Sequence, residues 1–224
     1  PAMDDEGLGD IKIIIWDHNK ERIYDRAKTI LSNCAVNERV WAVGHHWYSG
    51  EHFDGLSLVE EQLHKPNICT EFCTAIEMTK DLVYLAECYA KEICENMNHY
   101  CIGICDWNIL LDEKGGVYHN RGREGTDAIN LVFTDGNAGC YAPIMYDREQ
   151  DKLKMLPMYY YIGHFSKYVM RGAKRIATTK YTDDLSVCAF INPDGKRAAI
   201  IMNRSDEEKD AVLRFHGECT KMTM

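Results

Sequence analysis

Ile11-Lys12-Ile13-Ile14-Ile15-Trp16, followed at once by Asp17-His18-Asn19, decides the fold class. A continuous run of β-branched residues suits a strand buried on both faces, as in a parallel sheet. Three further runs behave alike: Val40-Trp41-Ala42-Val43-Gly44 into His45-His46-Trp47-Tyr48, Asn67-Ile68-Cys69-Thr70 into Glu71, and Tyr100 to Cys105 into Asp106-Trp107-Asn108. Between them lie helical patterns at about 20–32 and 56–64. The clearest is 76–97, where Ile76, Leu82, Leu85, Ala86, Tyr89, Ile93 and Met97 form an apolar stripe. Strands recurring roughly every 30 residues with helices between them are βα units of a parallel sheet. The expectation is four consecutive parallel strands at about 11–16, 40–45, 67–71 and 101–106. Each ends in polar or aromatic residues, and in (β/α)8 barrels the carboxyl ends of the strands carry the chemistry.

After residue 108 the pattern changes. Residues 109–156 lack helical periodicity and read as a long loop with a small hairpin, and Met158 to Val169 reads as an aromatic helix. From about 174 the alternation has period two. Val187–Ile191 and Ala198–Met202 flank Asn192-Pro193-Asp194-Gly195, a turn signal. The fold class expected is α/β: the C-terminal half of a (β/α)8 barrel over residues 1–172, then a partial antiparallel β-sandwich over 173–224. Four βα units leave two open sheet edges, which are a hazard in water, so the natural protein is expected to continue upstream, with an N-terminal half as partner. Pro1-Ala2-Met3 reads as a cloning remnant.

Composition narrows the function classes. With 26 basic against 35 acidic residues the chain carries a net charge of −9, which repels phosphate backbones and disfavours nucleic-acid binding. No run of eighteen apolar residues suggests a membrane span, and the first ten residues have no signal-peptide apolar region. Ten cysteines, none in a C-x-x-C spacing and most within apolar runs, read as small buried thiols, which points to a reducing compartment and the cytoplasm.

Glu71 is the leading candidate for chemistry. A carboxylate at a strand's carboxyl end can serve as nucleophile, base or ligand; an ordinary surface glutamate before a helix is the competing reading. Trp47, Tyr48 and Trp107 would present aromatic faces suited to the apolar C–H faces of sugar rings, against a plain packing role. His45-His46 lack the spacing of a metal site; His46 reads better as a hydrogen-bonding orienter, and no metal is expected.

Taken together, Trp16-Asp17-His18-Asn19, His46-Trp47-Tyr48, Thr70-Glu71-Phe72-Cys73, Asp106-Trp107-Asn108, Tyr141-Ala142-Pro143-Ile144, Gly163-His164-Phe165-Ser166-Lys167 and Asn203-Arg204-Ser205 resemble, in order and spacing, the second half of glycoside hydrolase family 30, the glucosylceramidase-like enzymes. The resemblance covers residues 8 to 216 or so. It implies that the four strands are β5–β8 of the barrel and that Glu71 is the nucleophile of a retaining β-glycosidase. Tyr48 would lie beside it, with His46 and Trp47 in the same motif, and Trp107 would stack on the sugar. Cys73 is implied as a small neighbour of the substrate, Asn19 and Asp17 as polar substrate-binding groups at the site, and Asn137 as the substrate asparagine, with Asn120 a weaker choice.

The same resemblance implies a carbohydrate or glycolipid substrate, β-glucosides such as glucosylceramide first, with β-1,6-glucan or β-xylosides as alternatives, and no cofactor. The family's acid/base glutamate belongs to a strand upstream of this chain. Asn37-Glu38 would sit at the bottom of the barrel, away from Glu71. An inactive fragment, or a carbohydrate-binding half that needs an N-terminal partner chain, is the competing class.

Overall fold

A computed structural model describes residues 2–76, 79–116 and 139–224. Asn137 and Asn120 lie outside them. In chain order the elements begin with α1 (Ala2–Asp5), β1 (Ile13–Asn19), α2 (Ile23–Leu31), α3 (Cys34–Arg39), β2 (Val40–His46), α4 (Phe53–Leu63), β3 (Asn67–Glu71), β4 (Thr74–Ala75), α5 (Leu82–Asn98) and β5 (Cys101–Ile104). Then follow β6 (Leu110–Asp112), β7 (Cys140–Tyr141), β8 (Ile144–Asp147), β9 (Lys152–Met155), α6 (Pro157–Tyr168), β10 (Lys174–Ile176), β11 (Leu185–Ile191), β12 (Arg197–Asn203), β13 (Asp210–Phe215) and β14 (Glu218–Thr223). The chain divides into two compact units, Pro1–Phe72 with His99–Trp107, and Cys73–Asn98 with Asn108–Met224.

The first unit is built on a four-stranded sheet in the order β1-β2-β3-β5, parallel at every pairing. This is the arrangement that the apolar runs predict. Helices α2 and α4 cover it. Ile23, Ala27 and Leu31 recur every fourth residue on α2, and Phe53, Leu56 and Val59 every third on α4; with Val40 and Val43 of β2 they form one buried cluster. The interior also holds polar side chains that tie its elements together. Asn67 is fully buried, and its Nδ2 donates to the Leu56 carbonyl at 2.8 Å, tying β3 to α4. Lys20, 1% exposed, lays its ammonium 4.0 Å from the centre of the Phe53 ring.

The second unit contains α5, whose buried face (Leu85, Ala86, Tyr89, Ala90, Ile93, Cys94) packs on α6 and β11. The apolar stripe predicts a helix from residue 76, but α5 starts at Leu82. The cause is local: the Asp81 carboxylate accepts from the N–H groups of Val83 and Tyr84 at 3.1 and 3.0 Å, which caps the helix there. Ile76 instead gives its N–H to the Gly139 carbonyl, beside the short β4–β7 pair.

The described residues of the stretch expected as a loop with a hairpin form four strands, β6 to β9. β8 and β9 form the hairpin, and β6 adds to β8 in parallel, because Leu111 and Met145 bury a small core with Cys140 and Ala142. After α6 come the antiparallel sheet β10-β11-β12 and the hairpin β13-β14, the sandwich portion. Gly195, at φ +81°, turns β11 into β12, as the Asn-Pro-Asp-Gly signal predicts. The fold class is α/β, a partial TIM barrel with part of a β-sandwich.

Candidate active site

The carboxyl ends of β1, β2 and β3 come together at one edge of the first unit. His46 pairs with Asn19 on one side and with Glu71 on the other. Tyr48, two residues beyond β2, donates its hydroxyl to Glu71 Oε1 at 3.0 Å. Glu38 sits on α3, before β2 begins, so the seven residues of β2 separate it from this end by roughly 20 Å at about 3.3 Å per residue.

Aromatic groups gather at the same strand ends. Trp107 follows β5, is 37% exposed, and gives its backbone N–H to the Phe72 carbonyl at 3.1 Å, which brings the end of β5 beside the residue after Glu71. Trp47 packs edge-on against Phe72, ring centres 5.4 Å apart. His46 meets the Tyr48 ring edge-on at 6.0 Å and stacks over His18 at 6.2 Å.

The group that His46 orients is Asp17. Its Nε2 lies 3.1 Å from Asp17 Oδ1, not on Glu71. The same Asp17 oxygen accepts the Thr70 hydroxyl at 2.6 Å. The Asp17 carboxyl is held below the usual carboxylate range, chiefly by the Thr70 hydrogen bond and secondarily by His46, with partial burial opposing them. Since an ionised carboxylate only accepts, Nε2 is the nitrogen of His46 that carries a proton. Asn19 accepts the Trp16 indole N–H on its backbone carbonyl at 3.0 Å, and its side-chain Oδ1 is buried at the same strand end. Cys73 belongs to the second unit, where its Sγ lies 4.0 Å from Cys140 Sγ.

Sequence reasoning missed Thr70, Gly44 and His18 as members of this network. Gly44 is the telling one. A Cβ there would come within 2.9 Å of Ile14 Cγ2, 3.2 Å of Thr70 Cγ2 and 3.4 Å of the Asp17 Cα. A glycine at the end of an apolar run is the signal that neighbouring backbones approach closely. Among the described residues no group of three or more His, Cys, Asp or Glu side chains could hold a metal ion, and no helix is long and apolar enough to cross a membrane. None of the ten cysteines forms a disulfide, and Cys69, Cys94, Cys101, Cys140 and Cys188 are buried while Cys34, Cys105 and Cys219 are exposed.

Comparison with known proteins identifies the family. Residues 1–169 match the glycosyl hydrolase family 30 TIM-barrel domain and residues 172–220 the family 30 β-sandwich domain. The lysosomal acid glucosylceramidase of Mus musculus is 27% identical over 213 residues, covering 89% of this chain but 38% of that protein. The chain thus spans well under half the length of this relative. Among solved structures, SrfJ from Salmonella typhimurium superposes with a TM-score of 0.87 at 29% identity, over the whole of this chain and 47% of its own. The endo-β1,6-glucanase BT3312 does so with a TM-score of 0.77 at 24% identity, over 48% of its own chain, a likeness of fold. With the family's TIM-barrel domain matching residues 1–169, three quarters of its length, and the family's β-sandwich domain following it, the chain belongs to glycosyl hydrolase family 30.

Proposed function

We propose that the chain is the nucleophile-bearing half of a retaining β-glycoside hydrolase acting on β-glucosides of the glucosylceramide type, with Glu71 as the nucleophile. The observation that carries the reading is the Tyr48 hydroxyl donated to Glu71 Oε1 at 3.0 Å, at the carboxyl end of a strand in a glycosidase-family barrel. That bond occupies Oε1 and leaves Oε2 as the oxygen that attacks. The substrate class is supported by the mouse relative, which is named a glucosylceramidase.

In a retaining mechanism two carboxyl groups stand about 5–5.5 Å apart. Glu71 Oε2 attacks the anomeric carbon while the second carboxyl protonates the leaving oxygen. Water, deprotonated by that second group, then releases the sugar from Glu71. Trp107 and Trp47 supply aromatic surface for the sugar and Asn19 a polar contact; Cys73 and Asn137 complete the assignment as neighbours of the substrate. We assign the acid/base to the N-terminal half of the enzyme, because Glu38 lies at the opposite end of β2 from Glu71. The domain division 1–172 and 173–224 is part of the same proposal.

The test uses the full-length protein that carries this chain. A 2-deoxy-2-fluoro-β-glucoside with a good leaving group should label it covalently, since fluorine slows release of the glycosyl-enzyme, and peptide mapping should find the sugar on Glu71. Label on another carboxylate, or full activity in Glu71→Gln, would exclude Glu71 as the nucleophile. Binding of glucosides without turnover would favour the non-catalytic reading.

A further inference from the structure

Two of the three strands that meet at the site carry one residue too many, and those two residues are bonded to each other. On β1, Trp16 pairs with Gly44 and His18 with His45, so Asp17 has no partner on β2. On β3, Cys69 pairs with His45 and Glu71 with His46, so Thr70 has none either. Each is the extra residue at a register shift of the β-bulge kind, and the two shifts flank β2 on opposite sides one residue apart, between Gly44 and His45 towards β1 and between His45 and His46 towards β3. Asp17 and its neighbour Trp16 both adopt positive φ, +52° and +71°, which is uncommon for residues with side chains and costs conformational energy. The Thr70 hydroxyl reaches across to Asp17 Oδ1 at 2.6 Å, shorter than its 3.2 Å approach to the His45 carbonyl. Gly44 lies beneath this bond, where a Cβ would press on Ile14 and Thr70.

We propose that Asp17 and Thr70 form a latch between two bulges, and that this latch aims Glu71. The inference rests on Glu71 being the nucleophile. Bulges redirect the side chains that follow them, and Glu71 is the residue after the bulge on β3. Thr70 has no ladder partner on β2, so its orientation is held by its side chain, and a charged acceptor makes that bond a strong one. Asp17 also holds His46 Nε2 at 3.1 Å, and His46 packs edge-on against Tyr48, whose hydroxyl holds Glu71. One carboxylate oxygen therefore ties down the nucleophile from both sides, through its own strand and through its hydrogen-bond donor. Asp17 and Thr70 are positioning residues on this account. This differs from the substrate contact that the family resemblance implies for Asp17, and the two make opposite predictions for KM and kcat.

The experiment compares Thr70→Val, Thr70→Ser, Asp17→Asn and Glu71→Gln in the full-length enzyme on an aryl β-glucoside, with thermal unfolding of each variant. Valine keeps the shape of threonine and loses the hydroxyl; serine keeps the hydroxyl. The latch predicts that Thr70→Val lowers kcat about 10- to 100-fold with KM changed less than about threefold. Thr70→Ser should stay within about threefold of wild type, and Thr70→Val combined with Asp17→Asn should fall no further than the worse single variant. Thr70→Val with unchanged kcat while Glu71→Gln is inactive would overturn the latch and leave the nucleophile assignment standing. Full activity in Glu71→Gln would overturn the nucleophile assignment itself. If Thr70→Val does not fold, Asp17→Asn decides: reduced kcat at constant KM supports the latch, and raised KM at constant kcat overturns it in favour of a substrate contact.

Discussion

At the scale of single residues, the site is a set of hydrogen bonds with a definite charge logic. Asp17 is stabilised as an anion in the folded protein by the Thr70 hydroxyl and by His46. A carboxyl whose pKa is depressed on folding contributes stability above its unfolded pKa, and that contribution is lost as the pH falls through the folded value. Asp17→Asn should therefore lower the urea midpoint at pH 7, and the gap from wild type should shrink as the pH falls below about 4, the ordinary aspartate range. Parallel urea titrations at several pH values check this. A gap independent of pH would mean that the Asp17 charge plays no part in folding. Trp16 and Asp17 illustrate what a residue reading misses. Their identities are visible at once, but their left-handed backbone follows from the pairing of β1 with β2, which no local propensity encodes.

At the scale of elements, helix starts and strand periods explain most of the architecture. The apolar stripe of α5 is legible as helix, yet its start at Leu82 is set by the cap at Asp81, whose oxygen serves two backbone donors. Asp81→Ala should cost about 1 kcal/mol of stability, the usual value of a lost cap. Chemical denaturation checks it, and a loss under about 0.3 kcal/mol would show that packing of α5 on α6 and β11 determines the start instead. Strands β1, β2, β3 and β5 were legible because a strand buried on both faces has no polar face to maintain. The same lack of alternation hides the bulges: an unbroken apolar run gives no mark where the register slips, so neither Asp17 nor Thr70 stands out as an extra residue.

At the scale of the whole molecule, a sheet of four parallel strands in the order β1-β2-β3-β5 leaves one side of β1 and one side of β5 without a partner within the sheet. The chain covers 38% of the mouse glucosylceramidase, whose remaining length is ample for the other strands of a barrel. On the proposed function, residues 1–224 alone should hydrolyse aryl β-glucosides at least about 10²-fold more slowly than the full-length protein, since general acid catalysis contributes about 10²–10⁴. Adding the upstream half, in the same chain or as a second one, should restore the rate. Steady-state assays of the two forms decide it, and equal rates would place the acid/base within the chain and refute its assignment to the N-terminal half.

The order of apolar runs and of the polar clusters that close them determined the α/β class, the parallel sheet and Glu71 as the leading candidate, because burial on both faces and strand-end chemistry are written in residue type and spacing. Only the tertiary structure decided what Glu71 is bonded to. Tyr48 donates to it, His46 turns to Asp17, and Thr70 completes the latch beside a glycine that admits both neighbouring strands. These are contacts between residues 23, 29 and 53 positions apart in the chain. Their geometry depends on how three strands slip past one another by a single residue, and a slip of that kind changes no local pattern while redirecting every side chain beyond it.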